Sequence, residues 1–276
     1  MTLRLDWLNE INAKMHVRLG NVLVPAKDVV STCIQYTTPL LFDNNDPNFP
    51  IQVFGSSFLI SFRRRLFQIA TGHQLENSQR DYSDVCLVYS ALRKTDLLSP
   101  QSTFSIKAIS EKKDPLTDIR LWQYDVSLLP VLSSRFLKIF SDQFVGVPPL
   151  GAQKIFAYFT IAYPLQAVGY ELTEDESALA HLRNRYIQLH LEPTKDWLPL
   201  IDNRHYFRSI DSLSDINTHP DGFSGAPVFV IYQSDDLQCH MGLVGFITDA
   251  NSEGTMAVYP AQSLLSSLTT IFDSSN

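Results

Sequence analysis

The sequence predicts an all-β protein built in two halves, with a short helix at each end, and three observations carry that reading. From about residue 20 to 165, and again from 185 to 259, short runs rich in Val, Ile, Phe, Tyr and Thr alternate with clusters of Gly, Pro, Asn and Asp, as strands joined by turns do. Helical spacing of apolar residues is confined to the two ends, apart from an acidic stretch at 171–183 that reads as loop or short helix. Ser141-Asp142-Gln143-Phe144-Val145-Gly146-Val147-Pro148-Pro149-Leu150-Gly151 is rich in turn residues, falls near the middle, and separates residues 1–140 from 141–276.

Taken in order, Leu5, Leu8, Ile11, Met15 and Val17 stand among polar neighbours and predict an amphipathic helix over residues 5–18. Strands are predicted at Thr32–Thr38, Gln52–Phe62, Leu66–Thr71, Val85–Ser90, Phe104–Ser110, Tyr124–Leu129 and Lys154–Ala162. They resume at Arg185–Leu191, Ala226–Tyr232, Met241–Thr248 and Thr255–Tyr259. Pro260 opens a closing helix with Leu264, Leu265, Leu268 and Ile271 on one face. Arg63-Arg64-Arg65 lies between two apolar runs and reads as a solvated hairpin tip rather than a phosphate site.

Composition narrows the function. Of the 276 residues, 45% are hydrophobic and 18% charged, which supports an ordinary core. A net charge of −7 argues against gripping a nucleic-acid backbone, and no apolar run is long enough to span a bilayer. The N-terminal segment carries charge early, so no secretory signal is expected. Three widely spaced cysteines, Cys33, Cys86 and Cys239, suggest neither a zinc site nor a disulfide framework. A reducing, cytoplasmic setting follows, with no metal and no cofactor.

The sharpest chemical signal is Pro220-Asp221-Gly222-Phe223-Ser224-Gly225-Ala226-Pro227-Val228-Phe229, a glycine-rich turn leading into a strand. Glycine at 222 permits a turn that aims the N–H groups of Gly222 and Ser224 at one point, where an oxyanion would be held. Serine is a poor nucleophile alone and needs a base, and the base needs an orienting group. His73 follows the small residues that end Leu66-Phe67-Gln68-Ile69-Ala70-Thr71-Gly72, and Asp125 opens Asp125-Val126-Ser127-Leu128-Leu129. An α/β-hydrolase elbow is excluded because Gly222-Phe223-Ser224-Gly225-Ala226 lacks the second glycine in its required place.

Gly55-Ser56-Ser57-Phe58-Leu59-Ile60, Ala70-Thr71-Gly72-His73, Tyr124-Asp125-Val126-Ser127 and Gly222-Phe223-Ser224-Gly225-Ala226-Pro227 together resemble the trypsin/chymotrypsin superfamily, nearest its bacterial trypsin-like peptidases. The resemblance covers residues 50–268, in the order His, Asp, Ser, at intervals of 52 (73 to 125) and 99 (125 to 224) residues. It implies two six-stranded antiparallel β-barrels forming one peptidase domain. The first, behind an N-terminal extension, lies in 1–140, and the second, with the nucleophile loop and the closing helix, in 141–276. It implies catalysis by His73, Asp125 and Ser224, with Gly222 and Ser224 as the oxyanion hole. Asp84 also heads an apolar run, but only 11 residues past His73, too few for the strands that intervene.

Three departures matter. Phe223 stands where digestive relatives carry the acid that pairs with a newly cut N-terminus, so the oxyanion loop must be held otherwise. Gln74 stands where extracellular members have a cysteine. Thr218 occupies the pocket base, with Thr248, Ala250 and Ala257 as walls, which predicts preference for a small to medium neutral side chain before the scissile bond; Asp249, next to the wall, complicates that reading. The leading expectation is thus a serine endopeptidase acting on polypeptides, with neither nucleic acid nor membrane as partner. The alternatives are a protease-like binding module and a protease latent until a partner protein orders its loops.

Overall fold

The computed structural model of the chain describes residues 16–44, 46, 51–76, 81–88, 97–106, 119–125, 127, 133–138, 145–149, 151–171, 181–195 and 204–273. A hairpin of β1 (His16–Leu19) and β2 (Val22–Pro25) comes first, followed by a helix, Val29–Ile34. Eight strands follow: β3 (Thr37–Asp43), β4 (Ile51–Phe62), β5 (Arg65–Thr71), β6 (Val85–Val88), β7 (Leu97–Leu98), β8 (Ser102–Ile106), β9 (Ile119–Tyr124) and β10 (Leu137–Lys138). The second half carries β11 (Ala152–Ala162), β12 (Val168–Glu171), β13 (His181–Asn184), β14 (Ile187–Pro193), β15 (His205–Ser209), β16 (Pro227–Ser234), β17 (Cys239–Ala250) and β18 (Thr255–Pro260), and the helix Ala261–Asp273 closes the chain.

The second half is a closed barrel. Its six strands pair antiparallel in the order β16-β11-β14-β15-β18-β17, and β17 pairs back to β16. In the first half the path is β7-β6-β3-β4-β5-β9-β8, with β10 beside β4, and among the described residues no pairing joins its two ends. The protein is therefore mainly β, with one closed six-stranded barrel and one open sheet.

Two apolar layers explain the unbroken hydrophobic run of β17. Val244 and Ile247 point into the barrel with Val228, Val230, Phe207 and Met256. Met241, Leu243 and Phe246 face the other way, into a cluster shared with Phe58, Ile60, Phe67 and Ile69 of the first sheet. A strand buried on both faces loses the alternation that marks a half-exposed one. Phe58 and Phe246 meet at 5.4 Å between ring centroids, so the seam between the halves is packed and apolar.

The first described hairpin joins the second half, and the last helix reaches across to the first. The β1–β2 hairpin extends the second half's sheet through a parallel pairing, Val17 with Cys239, so residues 16–25 do not belong to the first sheet. Helix Ala261–Asp273 sends Phe272 against Phe67, ring centroids 5.3 Å apart, and against Phe104, 5.5 Å apart. The arginine tip is tied to the same helix. Arg63 and Arg64, at φ 48° and 63°, form the two-residue turn between paired Phe62 and Arg65, the left-handed geometry that suits a twisted hairpin. Arg63 binds the Asp273 carboxylate, and the Arg65 guanidinium sits 4.4 Å from the Phe272 ring centre. The tip is thus a clasp on the helix as well as a solvated turn.

Several sequence expectations shift. Of the helix predicted over residues 5–18, residues 5–15 lie outside the described ones, and 16–18 are strand β1. Residues 29–34, partly inside the predicted strand Thr32–Thr38, form a helix that buries Val29 and Cys33 one turn apart, while the Ser31 and Thr32 hydroxyls donate back to the Asp28 carbonyl. The ends of the acidic stretch 171–183 pair as the hairpin β12–β13, and 172–180 lie outside the described residues. Pro260 ends β18 rather than opening the last helix. The strand expected at Tyr124–Leu129 runs instead from Ile119 to Tyr124, which matters for the site.

Candidate active site

The first sheet supplies His73, the candidate base. Strand β5 stops at Thr71, Gly72 turns the chain, and His73 begins a one-turn helix pinned by buried Leu75, whose N–H donates to the Gly72 carbonyl at 2.8 Å. Ser224, the candidate nucleophile, comes from the loop entering β16. His73 Nε2 and Ser224 Oγ are 3.1 Å apart, across 151 residues of sequence. The other acceptor near the hydroxyl is the Thr248 carbonyl, at 3.4 Å. Donation to Nε2 is the better bond, and it requires that nitrogen to be unprotonated.

The turn before β16 is held from several sides. The Phe223 N–H donates to the Pro220 carbonyl at 2.9 Å, Gly225 to Ile247 at 2.7 Å and Ala226 to Phe223 at 2.9 Å, while Asp221 N–H reaches His219 Nδ1 at 3.4 Å. Among the described residues, only the N–H groups of Gly222 and Ser224 in the run 221–226 donate to nothing. They are the two N–H groups expected from the sequence to face an oxyanion.

Both glycines that shape the turn are required by crowding and by backbone geometry. Gly222 has φ +94°, and a methyl group there would lie 2.6 Å from the Tyr163 carbonyl oxygen. At Gly225, φ +87°, it would lie 2.1 Å from the Ser56 carbonyl oxygen.

The turn is also anchored by side chains. Phe223 is fully buried in the barrel core with Ala226, Val228 and Ile247. Ser56, a motif residue to which the sequence assigns no role, donates its hydroxyl to the Gly222 carbonyl at 2.6 Å and accepts the Tyr163 N–H at 2.8 Å. An apolar anchor and a serine bridge hold the turn.

Asp125 is not brought to His73. The register pairs Thr71 with Ile119 and Leu66 with Tyr124. Asp125, next after Tyr124, therefore emerges at the far end of β5, about 17 Å of strand from the histidine end at ~3.3 Å per residue. Its carboxylate accepts the Ser127 N–H at 2.8 Å, a local turn. The error was one of direction, since the apolar run precedes this acid instead of following it. An acid ahead of the same run is Asp118, before Ile119 in the sequence and outside the described residues. We expect Asp125→Asn to react with a serine-directed probe within about twofold of the wild-type rate; a hundredfold loss with the fold intact would restore Asp125 to the site.

Among the described residues, Asp249, between Thr248 and Ala250 on β17, is a carboxylate close enough to feel the His73 imidazole. Its pKa is raised, chiefly by burial, while the Ala250 N–H at 2.8 Å and the nearby imidazole pull it back down. Three of the four expected pocket residues cluster there. Thr248 is fully buried and donates its hydroxyl to the Ala257 carbonyl at 3.2 Å, and Ala250 follows Asp249 on the same strand. Thr218 lies in the loop before the nucleophile, its N–H donating to the Leu213 carbonyl at 2.8 Å. Two further histidines have partners of their own: His219 pairs with exposed Asp221 at 3.1 Å, and His240 stacks on Tyr232.

No known protein family matches this chain, and no curated protein does either. Among the described residues, no helix is long and apolar enough to cross a membrane.

Proposed function

We propose that the chain is a serine endopeptidase of the trypsin/chymotrypsin type. The observation that carries this reading is the 3.1 Å contact between His73 Nε2 and Ser224 Oγ, made beside two backbone donors that serve nothing else. As Ser224 Oγ attacks a peptide carbonyl carbon, its proton passes to Nε2. The Gly222 and Ser224 N–H groups hold the oxyanion. The imidazolium then gives the proton to the departing amine, and water, deprotonated by the same nitrogen, releases the acyl group and restores the serine.

The finer fold reading, two six-stranded barrels, belongs to this proposal. It is supported by the path β6-β3-β4-β5-β9-β8, six strands that, among the described residues, lack one pairing for closure. A reducing, cytoplasmic compartment is supported by three free, buried cysteines, with the Cys86 thiol pushed up to about 12 by burial. For specificity, the buried Thr248 and Ala257 support a small to medium neutral side chain before the scissile bond. A positional-scanning peptide library would show Ala, Val or Thr preferred there, and enrichment of Arg or Lys would assign selection to Asp249 instead.

Labelling by an alkyl fluorophosphonate tests the activity. Attachment at Ser224 supports it, whereas a protein that never labels is better described as a protease-like binding module, or as an enzyme that waits on an activating partner.

A further inference from the structure

Gln74 sits next to the candidate base, half-buried, and its amide touches three separate parts of the site. Its Nε2 is 2.8 Å from the Ser224 carbonyl oxygen, 3.2 Å from that of Phe54 and 3.3 Å from that of Ser56. Its Oε1 accepts the Thr71 N–H at 3.1 Å and the Thr71 hydroxyl at 3.0 Å. The partners fix which way the amide faces, because three carbonyls demand the NH₂ group and a backbone N–H demands the oxygen. With two hydrogens for three acceptors, one goes to Ser224 and the other is shared between the two residues of β4.

Two consequences bear on the chemistry. The strut ties the histidine turn, strand β4 and the nucleophile's own backbone together, although Gln74 and Ser224 are 150 residues apart. It also disposes of a competitor. Thr71 Oγ1 lies 3.4 Å from His73 Nε2, close enough for its proton to contest the lone pair that must receive the serine's. Gln74 Oε1 takes that proton, leaving Nε2 to Ser224.

We infer that Gln74 is a positioning residue, which sets the alignment of Ser224 with His73 and keeps the histidine's acceptor nitrogen unblocked. The inference rests on the proposed serine chemistry. Mispositioning of about 1 Å at a reacting group can cost ~10²-fold in rate.

The test uses the full chain, a fluorophosphonate probe and two variants that keep the side chain's length. Gln74→Met removes every hydrogen bond of the amide, and Gln74→Glu sets a carboxylate against three carbonyls. Both should lower the limiting labelling rate at saturating probe by about 10- to 100-fold. The probe concentration for half-maximal rate and the fraction labelled at completion should stay near wild type. A purely structural role would lower the labelled fraction and leave the rate of the folded molecules unchanged, and that result overturns the inference. So does labelling of either variant within threefold of the wild-type rate. If the wild type itself never labels, the proposed function falls and the positioning role falls with it; wild-type labelling together with unaffected variants removes the positioning role alone.

Discussion

Ser224→Ala and His73→Ala should each abolish labelling by an alkyl fluorophosphonate, while wild-type protein carries the probe on the peptide containing Ser224. Losing the nucleophile removes the bond-forming atom. Losing the base leaves a hydroxyl whose proton has nowhere to go at 3.1 Å, since the remaining acceptor, the Thr248 carbonyl, lies at 3.4 Å and is not basic. Groups that act as a unit lose nearly the whole effect when either is removed, so a fall of about four orders of magnitude or more is expected from each, and the double variant should be scarcely worse. Neither side chain carries core packing, so circular dichroism and the melting temperature should stay near wild type. Probe attached elsewhere, or undiminished labelling of the His73 variant, would refute the pairing.

The second large effect is on stability. Phe223→Ala removes a fully buried ring from the barrel core, immediately before the nucleophile. Truncating a core phenylalanine typically costs about 3–5 kcal/mol, through lost transfer energy and the cavity left behind. Denaturant unfolding should show a loss of that size, and the labelling rate of the molecules still folded should fall too, because the ring anchors the turn that presents both oxyanion donors. Phe223→Leu should recover most of the stability and most of the rate. If Phe223→Ala lost less than about 1 kcal/mol and labelled normally, the turn would owe its shape to the Ser56 bridge and the glycines instead.

Much of the architecture was legible because it is local. Strands β4, β5, β11 and β16 to β18 coincide closely with runs of β-branched and aromatic residues, and the closing helix with its apolar spacing. Of the Val29–Ile34 helix, Thr32–Ile34 fall in the strand expected at Thr32–Thr38, since a β-branched sequence favours extended backbone until packing of Val29 and Cys33 against the shared core outweighs it. Residues 16–25 join the second half's sheet although they precede the first, because nothing in a short apolar segment says which sheet it will extend.

By itself the sequence determined the chemical vocabulary: a glycine-rich turn around Ser224, a histidine after small residues at a strand end, and a barrel's worth of strands between and around them. Tertiary structure alone decided how these meet. Antiparallel register, a long-range property, sends Asp125 to the end of β9 away from His73, while side-chain hydrogen bonds between the halves bring Ser56 and Gln74 to the turn that carries Ser224. Spacing along a chain measures how far apart two groups could be, whereas hydrogen-bonded pairing across a sheet fixes which of them share an end.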